Sequence, residues 1–113
     1  SVVDYEPEFK SLLETALKLA GGKKDHVIVL SIPDYGFTPF GTPKKNQITT
    51  ELDKFNFANR KITEAYGITY VDITEISRRG LEQPVLVASD GLHPSGKMYS
   101  LWVEKILSTI TLK

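Results

Sequence analysis

Val27-Ile28-Val29-Leu30-Ser31-Ile32-Pro33 is the stretch that decides the fold. Five of the six positions before Pro33 are β-branched or leucine, so the run has no polar alternate face. Such a segment reads as a strand covered on both sides, the habit of parallel sheets, with Pro33 closing it. Upstream, Tyr5, Phe9, Leu12, Leu13, Ala16, Leu17 and Ala20 recur at three- and four-residue steps, the period of a helix with one buried face. Asp4 is the expected N-cap, because Pro7 then falls in the first turn, where its missing N–H breaks no bond; Ser1 as cap would set Pro7 too deep. Gly21-Gly22 ends that helix.

Downstream, residues 33–46 hold three prolines and two glycines among Tyr35, Phe37 and Phe40, a long aromatic loop of the kind that usually carries a function. Ile48, Leu52, Phe55, Ile62, Ala65 and Tyr66 mark a second amphipathic helix, with Asn59 filling one step and Gly67 ending it. A second strand is expected over Ile68 to Ile73. The short run Val85-Leu86-Val87 then leads into Ser89-Asp90-Gly91-Leu92-His93-Pro94, and a last helix carries Tyr99, Trp102, Val103, Ile106 and Ile110. This order is the alternation of a doubly wound α/β sheet, whose ligands sit beyond the C-terminal strand ends.

With 113 residues the chain is one domain or a piece of one. Fourteen Lys plus Arg balance fourteen Asp plus Glu, which leaves no basic field for nucleic acid. The pairs Lys23-Lys24, Lys44-Lys45 and Arg78-Arg79 read as solvated surface. The absence of cysteine removes thiolate nucleophiles, thiolate metal sites and disulfides, but leaves the compartment open. The longest apolar run is far shorter than the roughly 20 residues of a membrane helix. His26 reads as surface, no metal or cofactor site is advertised, and Asp72 reads as a hydrogen-bonding residue at a strand end.

Asp90 and His93 stand three residues apart in a glycine-containing turn. That spacing lets a carboxylate fold back onto imidazole Nδ1–H, fix the tautomer and leave Nε2 to take a proton from a nucleophile. Pro94 suits a first helical turn, so His93 is expected at or just before the start of the last helix. Taken alone, the same residues also fit an Asp-Gly turn followed by an exposed cap histidine.

The segment Val87-Ala88-Ser89-Asp90-Gly91-Leu92-His93-Pro94-Ser95-Gly96-Lys97-Met98-Tyr99 closely resembles the last block of SGNH/GDSL-type esterases. The resemblance implies Asp90 as the orienting acid and His93 as the general base of a Ser-His-Asp triad. It implies a three-layer α/β/α, flavodoxin-like fold with parallel strands, of which residues 1–113 form the C-terminal part. The family's G-D-S nucleophile block, its oxyanion glycine block and its G-x-N-D block do not occur in the chain, and no G-x-S-x-G elbow replaces them. Ser1 is not preceded by an initiator Met, so an upstream N-terminal segment, or another chain, is expected to supply the serine. Without that serine the chain is expected to be inactive.

The implied function is carboxylic-ester hydrolysis by acyl transfer to water, on a small-molecule ester, without metal or organic cofactor. Tyr35, Phe37 and Phe40 are candidate substrate-binding residues, because their loop should stand at the sheet edge that holds His93; packing that loop down is the competing role. Serines 11, 31, 89, 95, 100 and 108 are poor nucleophile candidates, being on helices, in the buried strand or too near His93 in sequence. The alternative from another class is a small non-enzymatic α/β module that binds a ligand or a protein.

Overall fold

The computed structural model describes residues 1–111. Helix α1 covers Val2–Leu19, strand β1 Ile28–Leu30, helix α2 Lys45–Ala65, strand β2 Thr69–Val71, a single helical turn α3 Thr74–Ser77, and helix α4 Gly96–Thr111. Short 3-10 turns occupy Lys24–His26, Tyr35–Phe37, Thr42–Lys44 and Pro84–Leu86. Strands β1 and β2 pair in parallel, Ile28 opposite Thr69 and Leu30 opposite Val71, with α2 as the crossover. The protein is an α/β unit with two parallel strands, as expected.

Side chains alternate across this pair and serve two clusters. Val29 packs with Leu13 of α1, Ile62 of α2 and Ile68. Val71 packs with Ile73, Ile76, Leu86 and, from α4, Met98 and Trp102. Asn59 fills its step of the α2 stripe as a buried residue, bonded to Tyr5 and Tyr70 hydroxyls.

Several boundaries differ from the sequence reading. Both strands are only three residues long: Ser31 N still donates to Val71 O, but the backbone of Ile32 turns to Asn56 and the carbonyl of Asp72 to Lys105 Nζ. β1 is not covered on both faces: Ile28 and Val29 are half-buried and Leu30 is 39% exposed. The cap of α1 is Ser1, whose Oγ accepts from Asp4 N at 3.3 Å, and Asp4 lies in the first turn. Pro7 is tolerated inside the helix because it is exposed and forfeits one bond close to an end that water can reach. Val85 and Leu86 belong to a 3-10 turn, and Val87 forms only an isolated antiparallel bridge with Pro94, so no third strand leads into the Asp90 turn.

A polar knot ties the strand ends together. Ser31 Oγ accepts from Ile73 N at 2.8 Å and Thr74 N at 3.1 Å and donates to Asp72 Oδ1. Asn56 of α2 grips the backbone of Ile32 at both ends, its Oδ1 accepting from Ile32 N at 2.8 Å and its Nδ2 donating to Ile32 O at 3.1 Å. Asp72 thus has the strand-end role read from the sequence. Burial pushes its carboxyl up, but the hydrogen bonds from Thr74 N–H and Ser31, with the Lys105 charge, outweigh that and hold it below the usual value. Asn56→Ala, which leaves Ile32 N without its acceptor while Ile32 O keeps its bond from Thr74 Oγ1, is expected to lower stability by about 1–3 kcal/mol. Phe57→Ala one residue on, where the ring is 72% exposed, is expected to change it by roughly 0.5 kcal/mol or less. Urea unfolding of the two variants checks the contrast.

Candidate active site

The turn that presents Asp90 and His93 is built from backbone outward. Val87 bridges Pro94, Ala88 N donates to His93 O at 2.7 Å, and Ser95 N donates to Leu86 O at 3.0 Å, closing a loop over residues 88–93. Gly91 sits at its apex with φ +73°, a conformation that favours glycine. Pro94 stays outside the helix it was expected to open. Ser95 caps α4 instead, with Met98 N donating to its Oγ at 3.3 Å and the hydroxyl donating to Val85 O.

Asp90 is held by three hydrogen bonds. Its Oδ1 accepts from Leu92 N and His93 N, both at 2.9 Å, and its Oδ2 is hydrogen-bonded to His93 Nδ1. The His93 bond, followed by the two backbone N–H groups, lowers the Asp90 carboxyl to about 2. A carboxylate on Nδ1 makes Nε2 the proton acceptor of the neutral ring. Among the described residues nothing is hydrogen-bonded to Nε2. The imidazole is 71% exposed.

His93 stands on the rim of a cleft of about 320 Å³. Ile32, Pro33, Leu86, Leu92, Met98 and Trp102 give it a mainly apolar lining. Of the three aromatic candidates, only Tyr35 lines this cleft. Phe40, 67% exposed, lines a neighbouring depression with Tyr35 and Ile48. Phe37 is partly buried, with Lys45 Nζ 5.1 Å from its ring centroid.

Sequence reading missed Asp34, Trp102, Met98 and Leu86 as cleft residues. Asp34 directly follows Pro33, the expected close of the first strand, which was the available signal. Trp102 and Met98 were visible only as part of an apolar helix stripe. Trp102 Nε1 is buried without a hydrogen-bond partner among the described residues. Arg78 also departs from the solvated surface expected of it. Its guanidinium meets Asp34 at 3.2 Å, Asp53 at 2.6 Å and Glu75 at 3.1 Å, and its side chain is 22% exposed.

Ser31 and Ser77 hydroxyls are committed to the interior, Ser77 Oγ donating to Thr74 O and accepting from Asp34 N. His26 is exposed, and among the described residues no group of three or more His, Asp or Glu side chains could hold a metal ion. No helix among them is long and apolar enough to cross a membrane.

A model of the GDSL-like lipase/acylhydrolase family matches residues 2–101, a span that contains both strands, the Asp90–His93 turn and the cleft lining apart from Trp102. No curated protein and no solved structure gives a significant match. A match over most of the chain, on an α/β unit whose strand ends border an apolar cleft, places this protein in the GDSL-like lipase/acylhydrolase family.

Proposed function

We propose that the chain supplies the acid and base, Asp90 and His93, of a serine carboxylic-ester hydrolase. The reading rests on one observation above the rest: Asp90 is anchored by two backbone N–H groups and hydrogen-bonded to Nδ1 of a histidine on the rim of an apolar cleft. In that arrangement Nε2 takes the proton of a serine as it attacks the ester carbonyl, then delivers it to the leaving alcohol; water repeats the cycle on the acyl-enzyme. Asp90 fixes the ring and stabilises the imidazolium.

The nucleophile and oxyanion donors come, on this reading, from an N-terminal segment or a second chain. The interior commitments of Ser31 and Ser77, and the use of the Ser95 hydroxyl as the α4 cap, support that assignment. The complete domain would be a three-layer α/β/α, flavodoxin-like unit with the added segment along the outer edge of β1. Support for this comes from the two helix-facing clusters and from the exposure of Leu30. The family match favours hydrolysis over a binding module.

Three outcomes are expected. The chain by itself turns over p-nitrophenyl esters at background. Joined to a segment carrying a G-D-S block it becomes active, and His93→Ala or Asp90→Asn then lowers kcat/KM about a thousandfold or more. Fluorophosphonate labelling of a serine within residues 1–111 that abolishes turnover by the isolated chain would place the nucleophile here instead.

The bare β1 edge and apolar surface should also drive association. Light scattering is expected to report species above the monomer mass for the isolated chain; a stable monomer at high concentration would count against a missing edge partner.

Asp90 gives a pH signature. Its folded value, about 2, lies below the ordinary 3.8, so its bonds contribute stability throughout the pH range above 3.8 and lose it as pH falls through 2. Carboxyl ¹³C titration is expected to show Asp90 rising toward 3.8 in His93→Ala while staying below it, since the two backbone donors remain.

A further inference from the structure

Asp34 carries a buried carboxylate that the chemistry above does not use. Its side chain has no solvent exposure. Oδ1 accepts from Gly36 N at 2.9 Å, and Oδ2 accepts from Thr49 Oγ1 at 2.6 Å and Arg78 Nε at 3.2 Å. Its own N–H donates to Ser77 Oγ at 2.9 Å. One residue therefore fastens the start of the aromatic loop to α2, to α3 and to the residue after α3. A buried charge is retained only where its partners satisfy it, and here they all belong to neighbouring elements or to the loop itself.

From Asp34 the loop has little freedom before it reaches the Asp90–His93 turn. Thr38 Oγ1 donates to Tyr35 O at 2.7 Å and accepts from Gly41 N at 3.1 Å, and Thr42 N donates to Thr38 O at 2.9 Å. A Cβ on Gly41 would lie 2.0 Å from Tyr35 O, so the strands of this loop touch at backbone distance. At the end of the path Phe40 N donates to Gly91 O at 3.0 Å, with Pro39 against the same glycine. Gly91 is the residue between Asp90 and Leu92. The aromatic loop thus meets the turn through the backbone of Phe40 rather than through its ring.

We propose that Asp34 is a positioning residue: its buried carboxylate sets the path of residues 34–41 so that Phe40 N–H holds the Gly91 carbonyl and, through it, the geometry of the Asp90–His93 pair. Asn is the informative replacement. It keeps the shape and the acceptor toward Gly36, but it turns an amide N–H toward Thr49 Oγ1 and Arg78 Nε, and the latter can only donate. Thr49→Val removes one of the three side-chain bonds without touching charge, at a position that is only half-buried, and Thr49→Ser restores the hydroxyl.

The inference rests on the proposed roles of Asp90 and His93, and its test is read without turnover. In the 113-residue chain, ¹³C carboxyl titration of Asp90 and the downfield proton signal of His93 Nδ1 are followed in wild type, Asp34→Asn, Thr49→Val and Thr49→Ser. The expected result is an Asp90 value shifted upward and an Nδ1 proton signal weakened by exchange in Asp34→Asn. Thr49→Val should show a smaller shift in the same direction, and Thr49→Ser should match wild type. In the active, serine-bearing protein Asp34→Asn should lower kcat about tenfold or more with KM little changed. Asp90 and Nδ1 signals unchanged in Thr49→Val and in a folded Asp34→Asn would overturn the inference; should Asp34→Asn fail to fold, Thr49→Val against Thr49→Ser decides. If these signals respond but His93→Ala leaves turnover intact, the positioning role stands and the catalytic reading is the one that falls.

Discussion

Two strands of three residues share too few ladder bonds to organise a domain, and an isolated two-stranded unit is marginal in water. What holds this one is the hydrogen-bonded knot at its C-terminal end. Ser31 Oγ lies within bonding distance of Ile73 N, Thr74 N, Thr74 Oγ1 and Asp72 Oδ1. Asn56 closes the knot from α2 by pairing both backbone groups of Ile32. Because Ser31, Ile32 and Thr74 are fixed there, the segments leaving the two strands start from set positions. One becomes the aromatic loop and the other becomes α3. The cleft lies where those departures and α4 meet.

The order of helices and strands was legible because it depends on period. The stripes of α1 and α2, the glycine stops and the two apolar runs are one-dimensional signals. Strand length was not legible. Val27 to Ile32 reads as six strand residues by composition, but composition does not say that Ile32 spends its backbone hydrogen bonds on Asn56 and Thr74, more than 20 residues away. The cap of α1 failed for a related reason. Excluding Ser1 assumed that Pro7 must sit in the first turn, whereas one lost bond on an exposed face close to a helix end is a small cost against packing Tyr5 on Phe9 and Phe55.

Site residues divide along the same line. Asp90 and His93 were legible because everything that joins them is local: a spacing of three, a glycine with positive φ between them and two adjacent backbone N–H groups. The aromatic candidates were legible as a loop but not as individuals, since ring direction depends on how Asp34 and Thr38 tie that loop down. Tyr35 reaches the cleft, while Phe37 and Phe40 do not. Arg78 was misread for want of its partners. A basic pair before a glycine looks like solvated surface until the fold brings Asp34 and Asp53 to it from 44 and 25 positions away.

Helix α4 carries the last step. At roughly 100° per residue, Leu101, Met98, Trp102, Ile106, Tyr99, Ile110, Val103 and Leu107 sweep about two thirds of its circumference, interrupted by Lys105 and Thr109 near its Leu101 end, leaving Lys97, Ser100, Glu104 and Ser108 on the remainder. A helix packed on one side needs a narrower apolar arc than that. Only part of the arc is used: Met98 and Trp102 are buried, whereas Tyr99, Val103, Leu107 and Ile110 are 47–57% exposed. Leu30 on β1 is exposed as well. Under the proposed reading, the shortfall in packing and the shortfall in chemistry have one remedy. A segment that covers β1 and the open arc of α4 would wall the cleft beside His93, and in walling it would exclude water and carry the serine to Nε2, so that completing the core and completing the triad become the same event.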